Sequence, residues 1–336
     1  MSLNVALPLG AASKPAFLIT IDTEGDNLWS KPTEITTRNS VFLPRFQTLC
    51  ERYGFKPTWL TNYEMAMCPD FRAFAQDVLK RGTGEIGMHL HAWNSPPITP
   101  LTSNDHFHQP YLIEYPGEMI REKVAYLTGL LEETFAVKMT SHRAGRWSFN
   151  ETYAQVLSEN GYRVDCSVTP LCSWQSYLGD PNGRGGTDYS EFPDQPYFLD
   201  LENIARRGDS PLLEVPMTIL SLEPAPVRAV RRNFRSGSLV ARALGRFYPP
   251  AVWLRPNGAN LPAMLRLLNK AAAEARPYVE FMLHSSEFMP GGSPTFASQA
   301  SIENLYDTME QLFAQAARTF AGATLTEFAS RNEPIS

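Results

Sequence analysis

The chain has 336 residues, 43% of them hydrophobic and 19% charged, which is the composition of a globular protein with ample material for a core. Its 30 Lys and Arg against 35 Asp and Glu leave a net charge of −5, which argues against a nucleic-acid footprint. Apolar runs fall short of the roughly 18–20 residues that span a bilayer, so no transmembrane segment is expected.

The first fifteen residues lack a basic n-region and are interrupted by Pro8, so they predict an N-terminal extension and not a secretory leader. Cys50, Cys68, Cys166 and Cys172 are scattered, without a C-x-x-C pair, and fit reduced thiols in a cytoplasmic protein. Residues 16–22 (AFLITID) predict a strand buried on both faces. Helical spacing follows over 40–53, stopping at Gly54. A strand at 57–61, a helix at 70–81 closed near Gly82, and a strand at 85–91 come next. The pattern continues with a helix at 118–135, a strand at 138–143, a helix capped by Asn150, and a strand at 162–167. Strands at 212–220 and 278–284, a short candidate at 323–325, and helices at 261–275 and 302–320 complete it.

This alternation implies a parallel sheet covered by helices, and roughly seven units over this length fit a closed β/α barrel better than an open sheet. Two stretches interrupt the rhythm. Residues 170–210 are rich in Gly, Pro, Asp and Asn and predict an elaborated loop on the functional face. Residues 220–260 carry an arginine-rich run, Arg228 to Arg246, that predicts a solvated helix face. The expected organisation is therefore one α/β barrel domain over 16–330 with insertions at about 170–210 and 220–260.

In such barrels the chemistry gathers at the C-terminal ends of the strands. Here those ends carry Asp22 and Glu24, His89 and His91, Arg143, Asp165 and Ser167, and His284. Residues at i and i+2 of a strand point to the same side. His89 and His91 would thus stand side by side on an apolar strand, an arrangement hard to satisfy without a cation. Two imidazoles with a carboxylate from the first strand make the ligand set of a catalytic zinc site. Iron, nickel and cobalt suit the same ligands. If Glu24 takes the metal, Asp22 is free as a general base. Arg143, costly to bury alone, should meet a carboxylate, Asp22 first. Asp165 could pair with His284 or Arg143, or cap its own loop through Ser167. His284 leaves an apolar run at the pocket and suits a general acid that protonates a departing amine. His142 should pack on the other side of its strand, and His106 and His108 should be loop residues. Trp93, Trp147 and Trp174 lie just beyond strand ends, where they could stack on sugar rings or anchor loops.

In order, Asp-x-Glu, Glu-Ile-Gly-x-His, Arg-Ala-Gly-Arg-Trp, Asp-x-Ser and Leu-His-Ser-Ser-Glu resemble the motifs of the polysaccharide deacetylases, the NodB-type carbohydrate esterases. Within them the chain is most similar to the lipopolysaccharide-biosynthesis branch typified by WalW-like proteins. The resemblance runs from about Phe17 to Phe328. It implies a deformed (β/α)7-type barrel with one divalent metal, zinc first, that removes the acetyl group from an N-acetylated amino sugar. On this resemblance Asp22 matches the base, His89 a metal ligand, Arg143 the residue orienting the base, His284 the acid and Asp165 the residue tuning that acid. Thr23 replaces the second of the usual adjacent aspartates, moving the metal carboxylate to Glu24. Trp93 stands where the second metal histidine usually lies, four residues after the first, so His91 must substitute. A nucleotide sugar or a lipid-linked glycan is the implied substrate. The competing readings are an amidohydrolase-type barrel, a two-histidine iron oxygenase, and a degenerate deacetylase that only binds glycans.

Overall fold

A computed structural model describes residues 14–224, 226–227 and 251–332; the expected Arg228–Arg246 helix face and most of the N-terminal extension lie outside them. Its parallel strands are β1 (Ala16–Thr23), β2 (Pro57–Thr61), β3 (Glu85–Leu90), β4 (Ser141–Ala144), β5 (Val164–Asp165), β8 (Leu213–Glu214) and β11 (Tyr278–His284). They pair in the order β11-β1-β2-β3-β4-β5-β8 and curl into a deformed barrel. The curl is not zipped shut between β8 and β11. Side chains bridge that gap instead: Tyr278 Oη donates to the Pro216 carbonyl, and Glu280 N donates to Thr218 Oγ1 at 2.8 Å.

The alternation of side chains along each strand divides the interior from the outer layer. Leu18, Leu60, Val164, Cys166, Leu213 and Tyr278 fill the lower interior, closed beneath by Leu325 and Phe328 of the helix Leu325–Arg331. Phe17, Ile19, Trp59, Met88 and Phe281 point outward into a larger core against the helices. The helix Leu43–Arg52 supplies Phe46, which stacks on Phe288 at 4.4 Å and meets Trp59 edge-on. The helix Gln299–Thr319, started by the Ser298 cap, brings Phe313 against Phe17, Phe55 and Phe281. Among the described residues no helix is long and apolar enough to cross a membrane.

Several expectations change in detail. The stretch expected as one long loop over 170–210 contains a hairpin, β6 (Tyr197–Asp200) and β7 (Asn203–Arg207), whose first strand pairs antiparallel with β8. The run 212–220 is two strands, because β9 (Ile219–Leu220) leaves the barrel to pair antiparallel with β10 (Val252–Trp253). The helix expected from Asp70 starts at Pro69, whose fixed φ suits a first helical position, and ends on Gly82 in the left-handed region. His106 and His108 sit in a short helical turn, Asp105–His108. The candidate at 323–325 is β12 (Ala321–Ala323), which pairs with the start of β1.

Candidate active site

The register of the barrel sets the site. Asp22 lies opposite His284 across β1 and β11, and His89 opposite Arg143 across β3 and β4. These side chains face inward at the carboxyl ends of their strands, with Glu24 and His91 just beyond them. Glu24 and the two histidines offer ligand atoms within 4.8 Å of one another. His91 Nε2 stands 2.9 Å from Glu24 Oε2 and 3.1 Å from His89 Nε2, and His89 Nε2 is 3.6 Å from the same oxygen. Ligands of a tetrahedral ion at bond lengths of about 2.0–2.1 Å are themselves about 3.3 Å apart, which these edges bracket.

The donor chemistry agrees. The Arg143 carbonyl can only accept, so His89 Nδ1, 2.9 Å away, carries a proton and Nε2 is the atom left to face the other two groups. Burial lowers the pKa of this ring, but Asp22 and Glu24 outweigh it and raise it, as two carboxylates gathered where a cation would sit must do. Burial holds His91 down to about 4, keeping its ring neutral as a metal ligand must be. Burial opposes ionisation of Glu24, but His284, His89 and His91 overcome it and hold its carboxyl below the usual range. Two ring nitrogens and a carboxylate thus converge on one point, a donor set that fits a divalent cation. Trp93 packs on His91 with ring centroids 4.3 Å apart. Gly145 is required behind it, since a Cβ there would stand 2.7 Å from His91 Nδ1.

Below this group lies Arg143, fully buried. Its Nη1 donates to Asp22 Oδ1 at 2.6 Å, Nη2 to Thr20 Oγ1 at 2.6 Å and to Glu280, and Nε to the Cys166 carbonyl at 3.2 Å. Trp147 covers its guanidinium. Burial would raise the Asp22 carboxyl, yet Arg143, His89 and His284 outweigh it and keep Asp22 ionised. Asp22 therefore has one oxygen fixed by Arg143 and the other, Oδ2, aimed at the pocket 3.7 Å from His284 Nε2 and 3.9 Å from His89 Nε2.

Glu280 is a partner of Arg143 that sequence reasoning missed. Burial pushes its carboxyl up to about 7 against the pull of Arg143, and its Oε2 has no hydrogen-bond partner. Because this folded value lies above the unfolded one, the native state holds the extra proton. Stability is then full below the unfolded carboxyl range and falls as pH rises towards and through about 7. Urea unfolding of Glu280→Gln should accordingly show a shallower loss of stability between about pH 5 and pH 8 than the unmodified chain. Parallel curves would place that proton on another group. Glu64 is one such group, also raised to about 7 by burial. It accepts from Gly25 N at 2.7 Å and Asn94 Nδ2 at 2.8 Å, tying together the loops that carry Glu24 and His91. Ser285 and Asn39 pin the Glu24 backbone from the other side.

Asp165 is a correction. It lies on the outer face of β5, between the inward Val164 and Cys166, and bonds to His142 Nδ1 at 2.5 Å. Ser167 also donates to it, through N and Oγ, each at 2.9 Å, as in the loop-capping alternative. The alternation of β5 turns it away from His284, so it cannot tune that residue. His142 likewise faces outward, joined through Nε2 to Tyr153 Oη on the helix Glu151–Glu159. The partner of His284 is Glu287. Its Oε2 accepts from the His284 backbone N–H at 2.8 Å and stands 3.2 Å from Nδ1, while Arg255 Nη2 lies 3.0 Å from Nδ1 and 3.1 Å from the same carboxylate oxygen. The i, i+3 spacing of a capping box, His284 to Glu287, was the signal available for it; Arg255 left none.

These groups floor a pocket of about 400 Å³ whose walls include Trp29, Trp93, Tyr111, Trp147, Trp174 and Tyr177. The loop over 170–188 supplies Trp174 and Tyr177 to this wall. Arg146 braces the wall, lying over the Tyr111 ring and donating to the Gln109 and Leu178 carbonyls.

No family model matches the chain, and no curated protein matches it by sequence. Solved structures do. One is a protein from Mycobacterium smegmatis assigned as a polysaccharide deacetylase, 15% identical over 98% of this chain and 94% of that one, with TM-score 0.51. Another, from Parabacteroides distasonis, is assigned as a glycoside hydrolase/deacetylase and is 11% identical over 98% and 74%, with TM-score 0.61. A third is the 4-alpha-glucanotransferase from Thermococcus litoralis, 13% identical over 96% and 41%, with TM-score 0.53. At these identities the likeness establishes the fold, the deformed barrel that the resemblance of the motifs implies. One fold carrying several named activities leaves the chemistry to be argued from the site.

Proposed function

We propose that the chain is a metal-dependent deacetylase that hydrolyses the N-acetyl group of an amino sugar. One observation carries the reading: a neutral His91, the His89 Nε2 and the ionised Glu24 meet in a pocket that also holds Asp22 and His284, their Oδ2 and Nε2 3.7 Å apart. Glu24, His89 and His91 would hold the cation, which when bound supplies the Lewis acidity that makes water a nucleophile near neutral pH.

The remaining work falls to the chain. Arg143 holds Asp22 by Oδ1, leaving Oδ2 to take a proton as the water oxygen attacks the acetamide carbonyl carbon. The turn Gly145–Trp147, with Arg146 and Trp147 at positive φ, carries backbone N–H groups beside the pocket for the developing oxyanion. As the carbon–nitrogen bond breaks, His284 Nε2 delivers a proton to nitrogen, and the products are a free amine and acetate. Glu287 and Arg255 fix the opposite edge of that ring. The aromatic walls offer faces on which a sugar ring can stack.

The test is acetate release from N-acetylated amino sugars by the purified chain before and after chelation. Activity that chelator removes and a divalent ion restores is the expected result. A chain that binds one ion and the sugar but releases no acetate would instead be a glycan-binding protein.

A further inference from the structure

Nine large apolar side chains stand exposed among the described residues, and their distribution is one-sided. Eight lie in segments that follow the carboxyl ends of β1, β2, β3 and β5, the face on which the pocket opens; Tyr126, on the helix Gly117–Phe135, is the exception. Six of the eight, Trp29, Ile98, Phe107, Leu171, Tyr177 and Leu178, are 46–60% exposed and come from three loops that supply the pocket wall. Trp29 and Tyr177 belong to wall and rim at once. Phe107 joins the wall through Lys31, whose ammonium lies 4.6 Å over its ring, and Leu178 through its carbonyl, which accepts from Arg146.

Exposed apolar side chains scattered singly carry no message, but here four of the six, Trp29, Tyr177, Phe107 and Leu178, line or touch the wall of one pocket with a charged floor. Whatever seats on this rim covers the mouth, so an occupant compatible with turnover must bring the reacting sugar with it. Trp and Tyr, each with an apolar body and a polar edge, beside Leu, Ile, Phe and a lysine, are the residues that settle at the boundary between headgroups and acyl chains. The net charge of −5 offers no general attraction to acidic lipid, so the contact must rest on apolar burial.

We infer that this rim docks on a lipid surface and that the substrate is an amino sugar carried on a lipid anchor, the sugar entering the pocket while the anchor stays in the lipid layer. The substrate half rests on the deacetylase reading above; the docking half does not.

The experiment uses the full metal-loaded chain and two probes bearing the same N-acetylated sugar, a methyl glycoside in solution and a long-alkyl glycoside in phosphatidylcholine vesicles. The chain should sediment with the vesicles at low and high salt alike, and its kcat/KM should be about tenfold higher on the vesicle-borne sugar. The double variant Phe107→Ser/Leu178→Ser, which replaces no residue lining the pocket, should lose both effects and keep its turnover of the methyl glycoside. Equal turnover of the two probes without vesicle binding would overturn the inference and leave the deacetylase reading standing. A stable dimer in place of vesicle binding would overturn it too, assigning the rim to a second copy. Vesicle binding with acetate released from neither probe would overturn the deacetylase reading, and the substrate half with it, and support the docking surface alone.

Discussion

Replacing Asp22 with Asn is expected to lower kcat for acetate release by about 10²–10⁴-fold while the chain stays folded and keeps its metal. Asn preserves the shape and the carbonyl oxygen that accepts from Arg143 Nη1 at 2.6 Å. It loses the property that matters to the proposed mechanism, because an amide cannot take a proton from water at neutral pH. Glu24, His89 and His91 are untouched, so metal content should not change. Arg143 keeps Glu280 as a counter-ion, so the barrel interior should remain intact. Circular dichroism, metal analysis and kcat on one preparation check all three points. Full turnover in the variant would remove Asp22 from the role of base.

Arg143→Met is expected to be the most damaging single substitution to stability, by about 3–5 kcal/mol in urea unfolding. The guanidinium lies at the centre of the barrel, wholly buried, and is the shared partner of Asp22, Thr20 and Glu280. Met fills much of the same volume but leaves carboxylates in the interior without the charge that balances them. The second variant Arg143→Met/Glu280→Gln separates charge from packing. If uncompensated charge dominates, removing one carboxylate should recover part of the loss. If the double variant is no more stable than the single one, the cost lies in lost packing against Trp147 and lost hydrogen bonds.

The two substitutions draw on parts of the molecule that were legible to different degrees. Asp22, Glu24, His89, His91, Arg143 and His284 stand out in sequence because each is a polar residue ending or closely following an otherwise apolar strand. The rule that barrel chemistry sits at those ends is a matter of architecture. The gathering of five of them in one pocket, with Arg143 beneath, needed only the barrel and its register, and Asp22 facing His284 and His89 facing Arg143 are products of that register. Glu280 was hidden because a glutamate inside a strand has no local mark that separates a buried counter-ion from a surface residue. Glu64 was hidden too, since its role is to bridge loops 39 and 30 residues away.

Asp165 shows where sequence stops. Strand alternation was available from the residues alone, and with it the knowledge that Asp165 faces opposite to Val164 and Cys166. Which of those faces is the barrel interior was not, because all three are fully buried and a strand covered on both sides carries no polarity to mark its phase. Only the packed sheet decides it, by placing the helix Glu151–Glu159 with Tyr153 outside and Arg143 inside, so that Asp165 meets His142. The partner of His284 was settled in the same way, by a turn at Glu287 and an arginine brought in from the segment after β10. The alternation of strands and helices and the polar residues at the strand ends follow from local spacing and were readable along the chain. Tertiary structure alone decided which face of a doubly buried strand looks inward and which distant charges meet, since these depend on how the layers close on one another.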